Sequence, residues 1–215
     1  MSVAPDTSTL KIEAPGNPDA AARSRVYALL GEALAYPQGS VALRLLDGDL
    51  LADLSDALAA TPHAISAPDE LNTPISKHAI GEVQVIYTAL FAVTGGTPQV
   101  SLLVRRYGEV PEQKLWDALF SFYGHFGLYF SQGYAAEQPD HLLTQLAFMH
   151  YMSFLQSGTA LDKMAFCRGQ RDFLKLHLAQ WCGTMAEKLS LQENAEPYAS
   201  LGLLMAQFVA CDLEY

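Results

Sequence analysis

Apolar residues recur every three or four positions along most of this 215-residue chain, the spacing of helices that bury one face. The first such segment opens at Asn17-Pro18-Asp19. Asn caps a helix well, Pro fits its first turn, and Asp suits the positive end of the dipole. Val26, Leu29, Leu30 and Leu34 follow in register before Pro37. The same spacing predicts a second helix over 40–60, weakened in its middle by Gly48. A third covers 75–93, with Val83, Ile86, Tyr87, Leu90 and Phe91 on one side. A fourth covers 112–130, where Leu115, Leu119, Phe122 and Phe126 form one row and Trp116, Phe120 and Tyr123 its neighbour. A fifth starts within "AEQPDHLLTQLAFMHYM", residues 136–152, and turns Leu142, Leu143, Leu146 and Met149 inward. A sixth spans 162–190 with Leu174, Leu178, Trp181 and Met185 in line, and a seventh closes the chain over 196–215.

No segment alternates as a strand does, no hairpin turn pair stands out, and no repeat of fixed length is present. The expected fold is all-α, a single globular helical domain of six to seven main helices. Residues 1–16, rich in Pro, Ser, Thr and Gly, read as a flexible N-terminal tail before the helical domain of 17–215. A hinge is expected near 131–141, where Pro139 stiffens a polar corner between two helical blocks. The connection "TGGTPQVSLLVRRYGEVP" is too apolar for a passive linker and is expected to pack on the body.

Composition narrows the function classes. Half the residues are hydrophobic, 17% are charged, and the formal net charge is -10. Such a surface disfavours nucleic acid and anionic lipid and suits a cationic partner. No secretory signal and no membrane-length apolar run is visible, so a cytoplasmic protein without membrane insertion is expected. Cys167, Cys182 and Cys211 lack CxxC spacing and read as free thiols buried in apolar helical packing, in a reducing compartment.

Charge placement says more than charge balance. From Leu115 through Asp162 there is no Lys or Arg, while Asp117, Glu137, Asp140 and Asp162 lie among many aromatic side chains. That stretch reads either as a core helix pair with incidental acids or as a surface for a ligand both cationic and greasy. Asp140-His141 cannot form a small centre together, because neighbours on a helix diverge by about 100°. Asp140 alone reads most simply as a group that accepts backbone N–H bonds at a helix start. The six histidines form no HxxxH, HExxH or Glu-x-x-His pattern, so no metal site is expected. No nucleophile motif and no phosphate loop appears, and neither catalytic residues nor a cofactor are expected.

Several stretches together resemble the TorD/DmsD/NarJ family of chaperones dedicated to molybdenum-cofactor oxidoreductases. They are "IYTALFAV", "YGHFGLYF", the corner "EQPDHL" continuing into "LAFMHYM", and "DFLKLHLAQW". The resemblance runs from about Tyr27 to Leu189 and is strongest to the chaperones of type II enzymes of the dimethyl sulfoxide reductase family. It implies an all-α, non-enzymatic protein that binds the twin-arginine leader or N-terminal region of an apo catalytic subunit, and assists cofactor insertion and export control. Carried over residue by residue, Glu137, Asp140 and His141 match the family's leader-binding corner. Gln138, not proline, follows the glutamate here, and Pro139 precedes Asp140. Whether the corner takes a leader or another segment of the partner stays open. The expected peptide-binding set is Glu137, Gln138, Pro139, Asp140, His141 and Tyr134, helped by Tyr87, Phe91 and Tyr107. A small helical enzyme using clustered histidines, and a helical adaptor whose groove forms a homodimer, are the alternatives.

Overall fold

The computed structural model describes residues 16–68, 79–92, 97–130, 138–158 and 163–215. The tail expected over 1–16 lies outside these residues except for Gly16, as do 131–137 of the expected hinge. The described residues form nine α-helices and no strand, so the all-α expectation holds. The helices are α1 (Pro18–Ala33), α2 (Gly39–Asp47), α3 (Asp49–Ala59), α4 (Ile80–Phe91), α5 (Glu112–His125), α6 (Leu142–Ser157), α7 (Lys163–Leu176), α8 (Cys182–Ser190) and α9 (Tyr198–Glu214). They follow the seven segments read from the sequence, two of which are broken. Gly48 adopts φ 84°, a left-handed conformation that ends α2 and starts α3. A 3₁₀ turn at Leu178–Gln180 separates α7 from α8.

The first helix starts as its sequence directs. The side chain of Asn17 accepts the Ala20 N–H at 3.1 Å, and Pro18 takes the first turn. This helix is the hub of the body and packs chiefly on α6 and α3. Val26, Tyr27 and Leu30 are fully buried there. Along the α1–α6 seam, Ser24 Oγ donates to the His150 carbonyl and His150 Nδ1 donates to the Ser24 carbonyl, each at 3.0 Å. α7 lies on α6, and α8 on α9. Leu174, Leu178, Trp181 and Met185 are all buried, as their register predicts. At Gly169 a Cβ atom would come within 2.3 Å of Phe126 Cζ and 2.7 Å of Met152 Cε. Only glycine lets the end of α5 lie so close over α7.

A buried polar cluster ties the helices from within. Asp212 of α9 accepts a two-pronged bond from Arg23 of α1, through Nε and Nη2, the latter at 2.9 Å. Tyr27 donates to the same carboxylate at 2.6 Å and His63 at 2.9 Å. Arg23 also reaches Gln156 of α6 at 3.2 Å and Gln170 of α7 at 2.7 Å. Burial pushes the Asp212 carboxyl up, but the bonds from His63, Arg23 and Tyr27 and the charge of Arg23 outweigh it and hold the group below its ordinary value.

Candidate functional site

The corner at Gln138–His141 is assembled from three elements. The first is the start of α6. The second is α5, which carries Trp116 and Tyr123. The third is the connection between α4 and α5, which is not passive: Val100 and Leu102 are buried in the core, and Val100 N–H donates to the carbonyl of Leu90 at the end of α4. This strap then meets the corner edge to edge. Leu142 N–H donates to the Leu102 carbonyl at 2.8 Å, and Val104 N–H donates to the Asp140 carbonyl at 3.0 Å. A 3₁₀ turn at Val104–Arg106 follows, with none of its residues buried.

Asp140 does not cap α6. His141 does, its Nδ1 accepting the Leu143 N–H at 3.2 Å. Burial drives the His141 imidazole below its ordinary pKa; the Asp140 charge opposes this and the Arg105 charge adds to it. The neutral ring is the form that can accept a capping bond. Asp140 sits one residue earlier, wholly buried, and serves other elements. Its Oδ1 accepts Arg105 Nη1 at 2.8 Å and Trp116 Nε1 at 3.0 Å. Its Oδ2 accepts the Arg105 backbone N–H at 3.3 Å. The guanidinium continues to Gln138 Oε1 at 2.5 Å through Nη2, and Nε stands 3.6 Å from Glu112. The face of Trp116 lies under it, 5.6 Å from guanidinium carbon to ring centroid. Arg105 is thus held by a carboxylate, an amide oxygen and an indole, with a second carboxylate at its edge.

Backbone bonds stiffen the corner. The Tyr123 hydroxyl donates to the carbonyl of buried Pro139 at 2.8 Å. Burial and the neighbouring Asp140 charge raise that phenol far above its usual range and keep it a donor. Thr144 Oγ1 donates to the Gln138 carbonyl at 3.1 Å. Outside the grip, Arg105, Arg106, Val110 and Glu112 line a recess of about 210 Å³, and Phe120, Val110 and Tyr129 are exposed.

The structure divides the residues read from the sequence. Gln138, Pro139, Asp140 and His141 stand together. Tyr134 and Glu137 lie outside the described residues. Tyr107 adjoins through the strap: its hydroxyl donates to the Ser101 carbonyl at 2.7 Å, its ring packs on Trp181 at 5.1 Å, and Lys188 Nζ lies 4.7 Å from its centroid. Tyr87 and Phe91 are buried on α4 in an aromatic cluster with Tyr198. Asp140, expected to face a cationic ligand, turns its carboxylate to the chain's own Arg105 and shows none of it to solvent. Two residues of the grip went unassigned in the sequence, Arg105 and Trp116. One signal pointed to Arg105. A carboxylate inside a stretch without Lys or Arg needs a cation from elsewhere, and Arg105-Arg106 is the basic pair in the flanking connection.

Metal and thiol chemistry find little footing. Among the described residues, no three His, Cys, Asp or Glu side chains are grouped so as to hold a metal. Cys182 is buried, which pushes its thiol up to about 11, whereas Cys167 is exposed rather than packed in the interior. Also among the described residues, no helix is long and apolar enough to cross a membrane.

The sequence model of the family described as nitrate reductase delta subunit matches residues 50–187, more than half of the chain and the whole corner. The chain belongs to this family. The nitrate reductase delta subunit family is the TorD/NarJ group that the sequence motifs resemble. Among its curated relatives, the perchlorate reductase assembly chaperone protein of Dechloromonas aromatica (strain RCB) is 28% identical over 207 residues, 90% of this chain and 89% of its own. The chlorate reductase assembly chaperone protein of Ideonella dechloratans is 33% identical over 128 residues, and the selenate reductase assembly chaperone protein of Thauera selenatis 32%. Each of these matches covers 57% of this chain and 64% of the relative. A crystal structure of a candidate redox enzyme maturation protein from Archaeoglobus fulgidus superposes with a TM-score of 0.55 at 18% identity, over 87% of this chain and 93% of that one. That likeness concerns the fold.

Proposed function

We propose that the chain is a dedicated, non-enzymatic assembly chaperone for a molybdenum-cofactor reductase of the type II dimethyl sulfoxide reductase kind. In this reading it works in the cytoplasm. It holds the twin-arginine leader or N-terminal region of the apo catalytic subunit until the cofactor is in place, and so delays export. The observation that carries the reading is the likeness to a perchlorate reductase assembly chaperone along 90% of the chain. The corner supports it with suitable chemistry. A leader combines paired guanidinium groups with an apolar stretch. A carboxylate, an amide and an indole already arranged around a guanidinium suit the first part. Exposed Val110 in the recess and exposed Phe120, whose ring meets Trp116, suit the second. Asp140 then acts from beneath the surface, through Arg105 and Trp116, and Tyr87 and Phe91 support the strap through Leu90 and Val100 rather than touching the peptide.

The test is calorimetric titration of the purified chain with the N-terminal segment of a reductase catalytic subunit from the same organism, repeated with the apo and cofactor-loaded subunits. Binding to the segment and the apo subunit, and loss of it on loading, is expected. A chain that ignores both the segment and the apo subunit is not that chaperone.

A further inference from the structure

The groups around Arg105 are what a receptor for a peptide arginine would contain. Asp140 Oδ1 and Gln138 Oε1 take the two terminal nitrogens at 2.8 and 2.5 Å. Trp116 supplies an aromatic face, and Glu112 flanks Nε. Arg prefers such planar, forked and stacked surroundings over any that Lys can use. The receptor is full, and its occupant belongs to this chain. That occupant is itself the first member of an Arg-Arg pair.

Two features make the occupant exchangeable. Arg105 projects from a surface 3₁₀ turn of three residues, none of them buried, so its departure moves a turn and leaves the helices in place. Its side chain is 18% exposed, while that of Asp140 is not exposed at all. Emptying the grip would leave a buried carboxylate without a counter-charge, which is strongly unfavourable. Replacing one guanidinium by another avoids that cost, because Asp140 is paired before and after.

We propose that Arg105 is an internal stand-in for a client arginine: the corner rests in a self-occupied state, and a guanidinium-bearing peptide binds by displacing Arg105 from Asp140, Gln138 and Trp116. The peptide arm of this inference rests on the chaperone reading above; the exchange of guanidinium groups does not. The internal residue sets a threshold. Weak or singly charged segments fail to displace it, and a segment that also docks its apolar part succeeds. Released, Arg105 and its neighbour Arg106 are free to meet acidic groups elsewhere on the client.

The test has two arms. In the first, thermal unfolding of Arg105→Ala is followed with low-millimolar ethylguanidinium or ethylammonium at equal ionic strength. Ethylguanidinium is expected to raise the melting temperature of Arg105→Ala, ethylammonium to leave it unchanged, and neither to shift the wild-type chain or Arg106→Ala. A folded Arg105→Ala that does not distinguish the two cations overturns the proposal. In the second arm, Arg105→Ala is expected to bind a leader peptide with an Arg-Arg pair at least tenfold more tightly than the wild-type chain, the factor for a competent state about one-tenth populated. A Lys-Lys peptide gains nothing. Because Arg105→Ala could fold poorly, the arginine Nε–H resonances of the wild-type chain are followed as the Arg-Arg peptide is added. The Arg105 signal is expected to move to the position of a solvated arginine. Peptide binding that leaves it in place overturns the proposal. Rescue by ethylguanidinium without peptide binding by either protein supports the exchangeable grip and overturns its peptide arm.

Discussion

Among the described residues two aspartates are buried, each with an arginine and an aromatic donor, yet the two sites are built differently. Asp212 pairs with Arg23 in the middle of the helical body, where both side chains are at most 5% exposed. Tyr27, His63, Gln156 and Gln170 complete the set, and α1, α6, α7 and α9 all contribute. Asp140 pairs with Arg105 on a surface turn, with Trp116, Gln138 and Glu112 around it. The charge chemistry is shared; the mobility of the cation is not. Arg23 is carried by the central helix and cannot leave without unfolding it. Arg105 is carried by a strap and can. One pair locks the body, and the other can respond to a partner.

The contrast breaks most sharply at its core end. Asp212→Ala leaves the Arg23 guanidinium buried and unpaired, and should cost about 3–5 kcal/mol of stability in denaturant unfolding. Asp140→Ala should cost less, about 1–3 kcal/mol for the Trp116 N–H and strap contacts it strands, because Arg105 can turn to solvent or to Glu112. Its larger effect should be on peptide affinity measured by titration. If the two variants lose equal stability, the distinction between a lock and a responsive pair is wrong.

Acid sharpens the comparison. The Asp212 carboxyl is held below its ordinary value of 3.8, so its contribution is present above that pH and disappears as pH falls through the folded value. Burial lowers His141 from 6.5. The unfolded chain therefore binds its proton first, and stability falls as pH drops below about 6.5, with slope set by that difference in bound protons. His150 and His177 are lowered by burial in the same way, so melting curves should decline in two stages, the buried histidines first and Asp212 later. His141→Asn, which can cap without titrating, should flatten part of the first stage and leave the second. The smallest expected change is Trp116→Phe, which keeps the aromatic face and removes one hydrogen bond, for about 1 kcal/mol. Denaturant midpoints check it.

The helices were largely legible because apolar spacing and end signals act locally. Asn17-Pro18-Asp19 starts α1 as read, and Leu174, Leu178, Trp181 and Met185 face inward as read. The break at Gly48 was visible as a weakness in one helix, but its left-handed φ was not. The expected fourth helix continued to 130, whereas Gly127 at φ 79° follows a helix that ends at His125. The site was legible only in part. Gln138 to His141 form a corner, but the sequence gives no measure of which way Asp140 faces. Its partner is 35 positions away, and the Arg23–Asp212 pair spans 189. Pairings of that range come from the packing of helices, which a one-dimensional pattern does not carry.

Gly169 gives the corner its mechanical setting. Trp116, near the start of α5, is fastened to Asp140, while Phe126, just past the helix end, rests on bare backbone of α7. The intervening helix is a rod seated at both ends. Any side chain larger than glycine at 169 would displace the Phe126 ring, and with it one end of the helix whose other end holds the indole against Asp140.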